Sequence, residues 1–219
     1  MHKDADLLTP AEVAVVARVS VRDVHRLIDA HNLPKRFLHA RAEGRRVRAS
    51  ACPFVGFYVH EANKLTKHER SILINRVSLR IDAERADWSI HRWRRESRPD
   101  EWMVIDGTIT VSLWDFVTSA DDRRSKLEEA RTMVVTDEEI LNGTPVIRGT
   151  RIPVYDIAAS VAAGLPKSRI KAAYPGLDDR MLELASLYAE ATPALGRPKA
   201  AAPLAGTISE RKVLRRRRA

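Results

Sequence analysis

Cysteine is almost missing from this chain of 219 residues: Cys52 stands alone, so no internal disulfide forms and a reducing compartment is the expectation. No apolar run approaches the ~18 residues that span a bilayer, and Met1 to Asp6 is polar with no signal-peptide core. The plain reading is a cytoplasmic protein with no membrane association. Phosphate-cradling loops, a nucleophile elbow and a histidine–carboxylate pattern are also lacking. His60, His68 and His91 have no cysteine or carboxylate partners at ligand spacing. The pairs Asp121-Asp122 and Asp178-Asp179 read as capping groups at helix starts, favoured by the helix dipole, rather than as metal ligands. A non-enzyme with no metal and no cofactor is expected.

What is present suffices for packed cores, since 44% of residues are hydrophobic, and the length suits one large or two small domains. The net charge of +9 is unevenly placed. Residues 197–219 carry eight basic side chains against Glu210, a net +7, and the preceding 196 residues share the remaining +2. The basic character is thus mostly a tail, with local patches at 35–48 and 92–98.

At the front, Leu8-Thr9-Pro10-Ala11-Glu12 reads as a helix start, with Thr9 and Glu12 at capping-box spacing and Pro10 in the first turn. Val13, Val16 and Ala17 give that short helix a buried face. Ser20 caps a second helix that turns Val21, Val24, Leu27 and Ile28 inward and leaves Arg22, Asp23, His25 and Arg26 outward. After Asn32-Leu33-Pro34, two arms around the Gly44 turn carry Lys35, Arg36, Arg41, Arg45, Arg46 and Arg48. A polar, basic helix face fits the major groove, and a cationic hairpin beside it grips phosphates. The candidate DNA-binding set is therefore Ser20, Arg22, His25, Arg26, Lys35, Arg36, Arg41, Arg45, Arg46 and Arg48. The competing reading is a small helical module whose charges are simply solvated. Asp23 fits poorly beside a phosphate: it accepts from a cytosine amino group or points away.

Residues 53–87 read as helical, with Thr66 and Glu69 forming a second capping box ahead of Ile72, Leu73, Val77 and Ile81. Phe54, Phe57, Tyr58 and Leu65 belong to a core, and so does Cys52. Residues 88–100 are expected to be a basic linker, although Arg92, Arg94, Arg95 and Arg98 beside Trp88 and Trp93 also suit stacking on bases. Residues 101–111 form a hairpin about Asp106-Gly107. A helix follows from Ser112 and ends near Ala130, and then a strand from Thr132 to Val135. These strands are expected to make one small sheet attached to the C-terminal helices and to pair between protomers of a homodimer.

The densest punctuation lies between Asn142 and Gly176. Gly143 and Pro145 bound a turn, Val146-Ile147 extend, and Gly149 allows a tight reversal between Arg148 and Arg151. Pro153 opens a helix that Gly164 stops; helices near 166–173 and 178–191 follow. The last of these bears Asp178, Asp179, Glu183 and Glu190 against Arg180, a face that phosphates would repel. Beyond Thr192-Pro193 the chain is Ala-, Pro- and Gly-rich, a flexible linker ending in an arginine-rich segment.

The string G-T-P-V-I-R-G-T-R-I-P-V, with its A-A-G helix stop and Y-P-G-L break, resembles the antitoxin-associated family known as domain of unknown function 433. Gly143, Pro145, Arg148, Gly149, Thr150, Arg151 and Pro153 carry the likeness, which covers about a quarter of the chain, residues 133–191. The resemblance implies a VapB-type antitoxin, the partner of a PIN-like ribonuclease toxin. Residues 9–48 are similar to the winged helix-turn-helix of MerR-like and excisionase-like regulators, through L-T-P-A-E-V-A and the N-L-P turn. Together they imply a mainly α protein with small β-hairpins. Its expected parts are a winged helix-turn-helix with supporting helices (1–87), a basic linker (88–100), a dimerisation and signature domain with a small β-arm and three helices (101–191), and a flexible basic tail (192–219). The implied partners are operator DNA, a PIN-like ribonuclease and a second copy of the chain. Arg211, Arg215, Arg216, Arg217 and Arg218 are expected to reach the nuclease's metal-binding carboxylates bidentately. The alternative is a stand-alone transcriptional regulator with no toxin.

Overall fold

The computed structural model describes residues 6–42, 44–85, 89–106 and 109–194. The chain is mainly helical, with small antiparallel sheets. Strand β1 (Leu7–Leu8) leads into α1 (Pro10–Ala17), whose start is the expected capping box: the Thr9 hydroxyl accepts from the Glu12 amide, and the Glu12 carboxylate accepts from the Thr9 amide at 2.7 Å. Apart from Glu12, helix α1 is apolar on every side, and it is buried from Glu12 to Ala17, as a helix of that composition must be. Helix α2 (Val21–Asp29) is capped by Ser20, and it buries Val24, Leu27 and Ile28. Val21, expected to face inward, is 39% exposed because it sits in the first turn, where the helix has not yet reached its neighbours.

Strands β2 (Leu38–Arg41) and β3 (Gly44–Arg48) form the hairpin around Gly44, and β1 adds to β3 to give the order β1-β3-β2. Helix α3 (Cys52–His60) and helix α4 (Lys67–Arg85) follow; the amide of Thr66 donates to Glu69 at 2.7 Å in the second capping box. Phe54, Phe57, Tyr58 and Leu65 are buried. Burial in apolar surroundings pushes the Cys52 thiol above its usual range, so the side chain behaves as an inert core residue.

The stretch expected to be a linker carries a helix instead, α5 (Ile90–Glu96). Trp93 is 1% exposed and packs against Phe54 and Trp102, and Arg94 holds the buried Asp121 at 3.2 Å and pairs with Asp122. The indole is the reason: a side chain that large is anchored wherever a pocket exists for it. Trp88 lies outside the described residues. Strands β4 (Met103–Asp106) and β5 (Ile109–Ser112) pair from Met103↔Ser112 to Asp106↔Ile109. Helix α6 (Trp114–Met133) runs three residues past the expected end near Ala130, leaving only Val134–Val135 for β6. Asp121 and Asp122 therefore lie inside a helix, paired to Arg94, and not at a helix start.

Strand β6 pairs with β7 (Val146–Ile147), while β4 and β5 form a separate two-stranded sheet. The expected single small sheet is thus two, because the whole length of α6 intervenes between the hairpins. Helices α7 (Val154–Ala162), α8 (Lys167–Ala173) and α9 (Asp179–Ala191) complete the described chain, and Asp178 caps α9 through the Met181 amide at 2.7 Å.

Two apolar clusters hold these elements. The larger runs from Leu8 through α1–α6 and takes in Leu184, Leu187 and Ala191; the smaller gathers Val134, Ile147, Val154, Ile157, Ile170 and neighbours around Leu182 and Ala185. Helix α9 therefore serves both clusters. One core crosses the boundary expected near residue 100, since α1 packs directly against α6 and α9.

Candidate nucleic-acid interface

Helix α2 begins with a local device that fixes its exposed face. The Asp23 amide donates to Ser20 Oγ at 3.1 Å, Ser20 Oγ donates to the Asp23 carboxylate at 2.6 Å, and Arg26 lies 3.6 Å from that carboxylate. Ser20 and Asp23 thus form the cap, and the negative charge sits where the helix N-terminus favours it. Arg22, His25 and Arg26 remain exposed along one side.

The hairpin divides its cations between two faces. Side chains alternate along a strand, so the buried Val47 places Arg45 on its own face and Arg46 and Arg48 on the other. Across the ladder, His39 opposes Arg46 and Arg41 opposes Gly44, which puts His39 and Arg41 on the outward face too. Arg48 donates from Nε to His39 Nε2 at 3.2 Å. Arg45, on the inner face, is ion-paired with Asp29 at the last residue of α2. That pair ties the hairpin tip to the end of the helix. Arg36 is half-buried with its guanidinium carbon 4.6 Å from the Phe37 ring centroid, and burial lowers its pKa. Its position suits packing of the 34–38 turn more than contact with solvent ions. Lys35 stays exposed.

Between the end of α2, the hairpin and α4 lies an open cleft of about 590 Å³. Its rim includes Asn32, Lys35, Arg45, Ser71 and Asn75, and its floor includes Ile28, Leu33 and Leu38. Sequence reading had no means of finding Ser71 and Asn75 there, because they arrive from a helix four elements downstream.

The remaining sequence-selected residues lie elsewhere. Arg148 and Arg151 are exposed at the turn after β7, and Gly143, Pro145, Gly149, Thr150 and Pro153 shape that turn and its flanks. The carboxylates of α9 are largely neutralised: Asp179 is 2.7 Å from Lys171, and Glu183 is 2.6 Å from Lys126 and 3.2 Å from Arg180. This helix is less repulsive to anions than its sequence suggests, and it is turned inward against α7, α6 and α1. Arg211, Arg215, Arg216, Arg217 and Arg218 lie outside the described residues, as do Glu43 and the Gly107 turn. Among the described residues, no group of three or more His, Cys, Asp or Glu side chains is placed to hold a metal ion, and no helix is long and apolar enough to cross a membrane.

Residues 134–189 match the family model described as a protein of unknown function (DUF433). Over 217 residues the chain is 42% identical to a protein of Sinorhizobium fredii (strain NBRC 101917 / NGR234) named uncharacterized protein y4eO, covering 98% of this chain and 96% of that relative. No solved structure matches.

Proposed function

From the premise that the chain belongs to the y4eO family and carries the DUF433 domain at residues 134–189, we propose that it is a cytoplasmic antitoxin and autorepressor. In this reading residues 9–48 act as a winged helix-turn-helix on operator DNA, a homodimer doubles the contact, and the rear of the chain binds and silences a PIN-like ribonuclease. The observation that carries the DNA part is the tether between Asp29 and Arg45, which sets an exposed helix face of Arg22, His25 and Arg26 beside a hairpin with Arg41 and Arg46 outward. A helix face for a groove beside a cationic hairpin for phosphates is the pairing of elements that this reading needs.

Support for the dimer comes from the β4–β5 hairpin. Arg80 donates to the carbonyls of Glu101 and Met103, each at 3.0 Å, and closes the outer edge of β4, while β5 keeps its edge unpaired among the described residues. Ile105 and Leu79, 68% and 66% exposed, lie in the strand and helix that those bonds join. Exposed edges and apolar side chains of this kind favour association of copies.

Co-expression tests the reading. The product of the adjacent small open reading frame should arrest growth, and this chain should restore it. Deletion of residues 207–219 should abolish rescue and leave operator binding intact. Growth arrest that the full chain does not relieve would remove the antitoxin role, and a failure of the pure protein to shift its own upstream DNA would remove the repressor role.

A further inference from the structure

The turn that carries the DUF433 signature is closed on itself. The Ile147 amide donates to the Ile152 carbonyl at 3.0 Å, and the Thr150 amide and hydroxyl both donate to the Ile147 carbonyl, at 3.0 and 2.7 Å. The Thr150 hydroxyl also accepts from the Ile152 amide at 3.1 Å. Gly149 at the tip has φ +75, a conformation that glycine adopts without strain, and a Cβ there would meet nothing within 4 Å. The four residues Arg148–Arg151 therefore project as a stiff, uncovered tip.

Its two arginines differ in how they are held. Arg148 donates its amide to the Met133 carbonyl at 2.8 Å and its Nε to the Thr132 carbonyl at 2.9 Å, which satisfies the end of α6 and aims the guanidinium. Its two Nη groups are uncommitted among the described residues, and Arg151 has no ion pair there at all. By contrast Lys167, Lys171 and Arg180 are each engaged by carboxylates of residues 134–189, and Arg169, on α8, has no ion pair among the described residues. A guanidinium pre-aimed by its own stem loses less freedom on binding and presents a planar, two-pronged donor.

We infer that the Arg148–Arg151 turn is a carboxylate-binding fork that docks an acidic surface of a partner protein. Residues 134–189 hold six basic against seven acidic side chains, a net −1, so the domain has no field to attract a polyanion such as nucleic acid. Two localised guanidiniums in a neutral surround suit a small group of carboxylates instead. The inference rests on the reading that the rear of the chain meets protein, and it adds to the arginine-rich tail a second, structured contact.

The test uses the full chain and two probes, tetra-aspartate peptide and a four-nucleotide thymidine strand, at one ionic strength. In the wild type, the Nε–Hε resonances of Arg148 and Arg151 should shift with the peptide, and the peptide should bind the turn more tightly than the oligonucleotide. Arg151→Lys, alone and with Arg148→Lys, keeps the charge and removes the planar fork, so the peptide titration read at the Gly149 amide resonance, which reports the turn and not the tail, should weaken about fivefold. Undisturbed resonances at both arginines, equal peptide affinity in the lysine variants, or a preference of the turn for the oligonucleotide would each overturn the proposal, the last in favour of a phosphate reader. These readouts come from the isolated chain, so they stand or fall separately from growth rescue by co-expression.

Discussion

Arg123 donates its Nε to the main-chain carbonyl of Val15 at 2.5 Å, joining residues 108 positions apart. Val15 is in the last turn of α1, where its carbonyl otherwise accepts only a long bond from the Arg18 amide at 3.4 Å and where the dipole favours a cation. A side chain of α6 thus finishes α1. Glu12, at the other end of α1, is held by Arg131 of α6 at 2.5 Å. Front and rear of the chain are bolted together at both ends of one buried helix.

Removal of that bolt should be costly. Arg123→Ala takes the charged donor from the carbonyl of the buried Val15, and stability should fall by about 1.5–3 kcal/mol in urea unfolding followed by circular dichroism. Arg123→Lys should recover part of it, since the charge remains at the helix end while the Nε donor is lost.

Trp93 gives the sharpest test of whether residues 90–96 belong to the core. Its ring lies 5.2 Å from Trp102 and 6.4 Å from Phe54 between centroids, in a tilted and an edge-on contact. Trp93→Ala should cost about 3–5 kcal/mol, with a single unfolding transition at lower denaturant. A true linker tryptophan would lose less than about 0.5 kcal/mol on the same change.

The link between α6 and α9 should weaken in acid. Hydrogen bonds from Arg180 hold the Glu129 carboxyl below its ordinary 4.5, and Lys126 first, then Arg180, does the same for Glu183. A carboxyl depressed by folding contributes stability that is complete above its unfolded value and drains away as pH falls through the folded one. Between pH 5.5 and 3.5 the wild type should therefore lose more stability than Glu129→Gln/Glu183→Gln, and about 1 M salt should shrink that difference, because these groups are exposed. Identical acid slopes would show that the pairs contribute nothing.

Local chemistry made much of this fold legible. Thr9 with Glu12, Thr66 with Glu69, and Ser20 and Asp178 all announce helix starts within three residues, and each makes its cap. Gly44, Gly149 and Gly164 mark reversals that need positive φ. What the sequence hid is whatever depends on distant partners. The pairing of β1 with β3 joins Leu7 to Arg48, and nothing near Leu7 signals it. The reading of α9 as an acidic outer face counted Arg180 but not Lys126 and Lys171, which reach it from other helices. Of the candidate interface, the cations were visible, but their division between hairpin faces required the register that only pairing sets.

That division yields the last expectation. Arg41 and Arg46 stand on the outward face of the hairpin, and Arg45 is spent on Asp29. If the outward pair grips phosphate, Arg41→Ala and Arg46→Ala should each weaken binding to upstream DNA and lower the slope of log affinity against log salt by about 0.9. Arg45→Ala should act differently, loosening the hairpin from α2 with a slope change well under that. Asp29→Asn checks this from the other side: it breaks the same tether while keeping the Arg45 guanidinium, so it should weaken binding as Arg45→Ala does, with an equally small change of slope. Fluorescence anisotropy across a salt series reads all four variants. An Arg45→Ala slope change as large as that of Arg46→Ala would place Arg45 on the phosphates and break the assignment of faces.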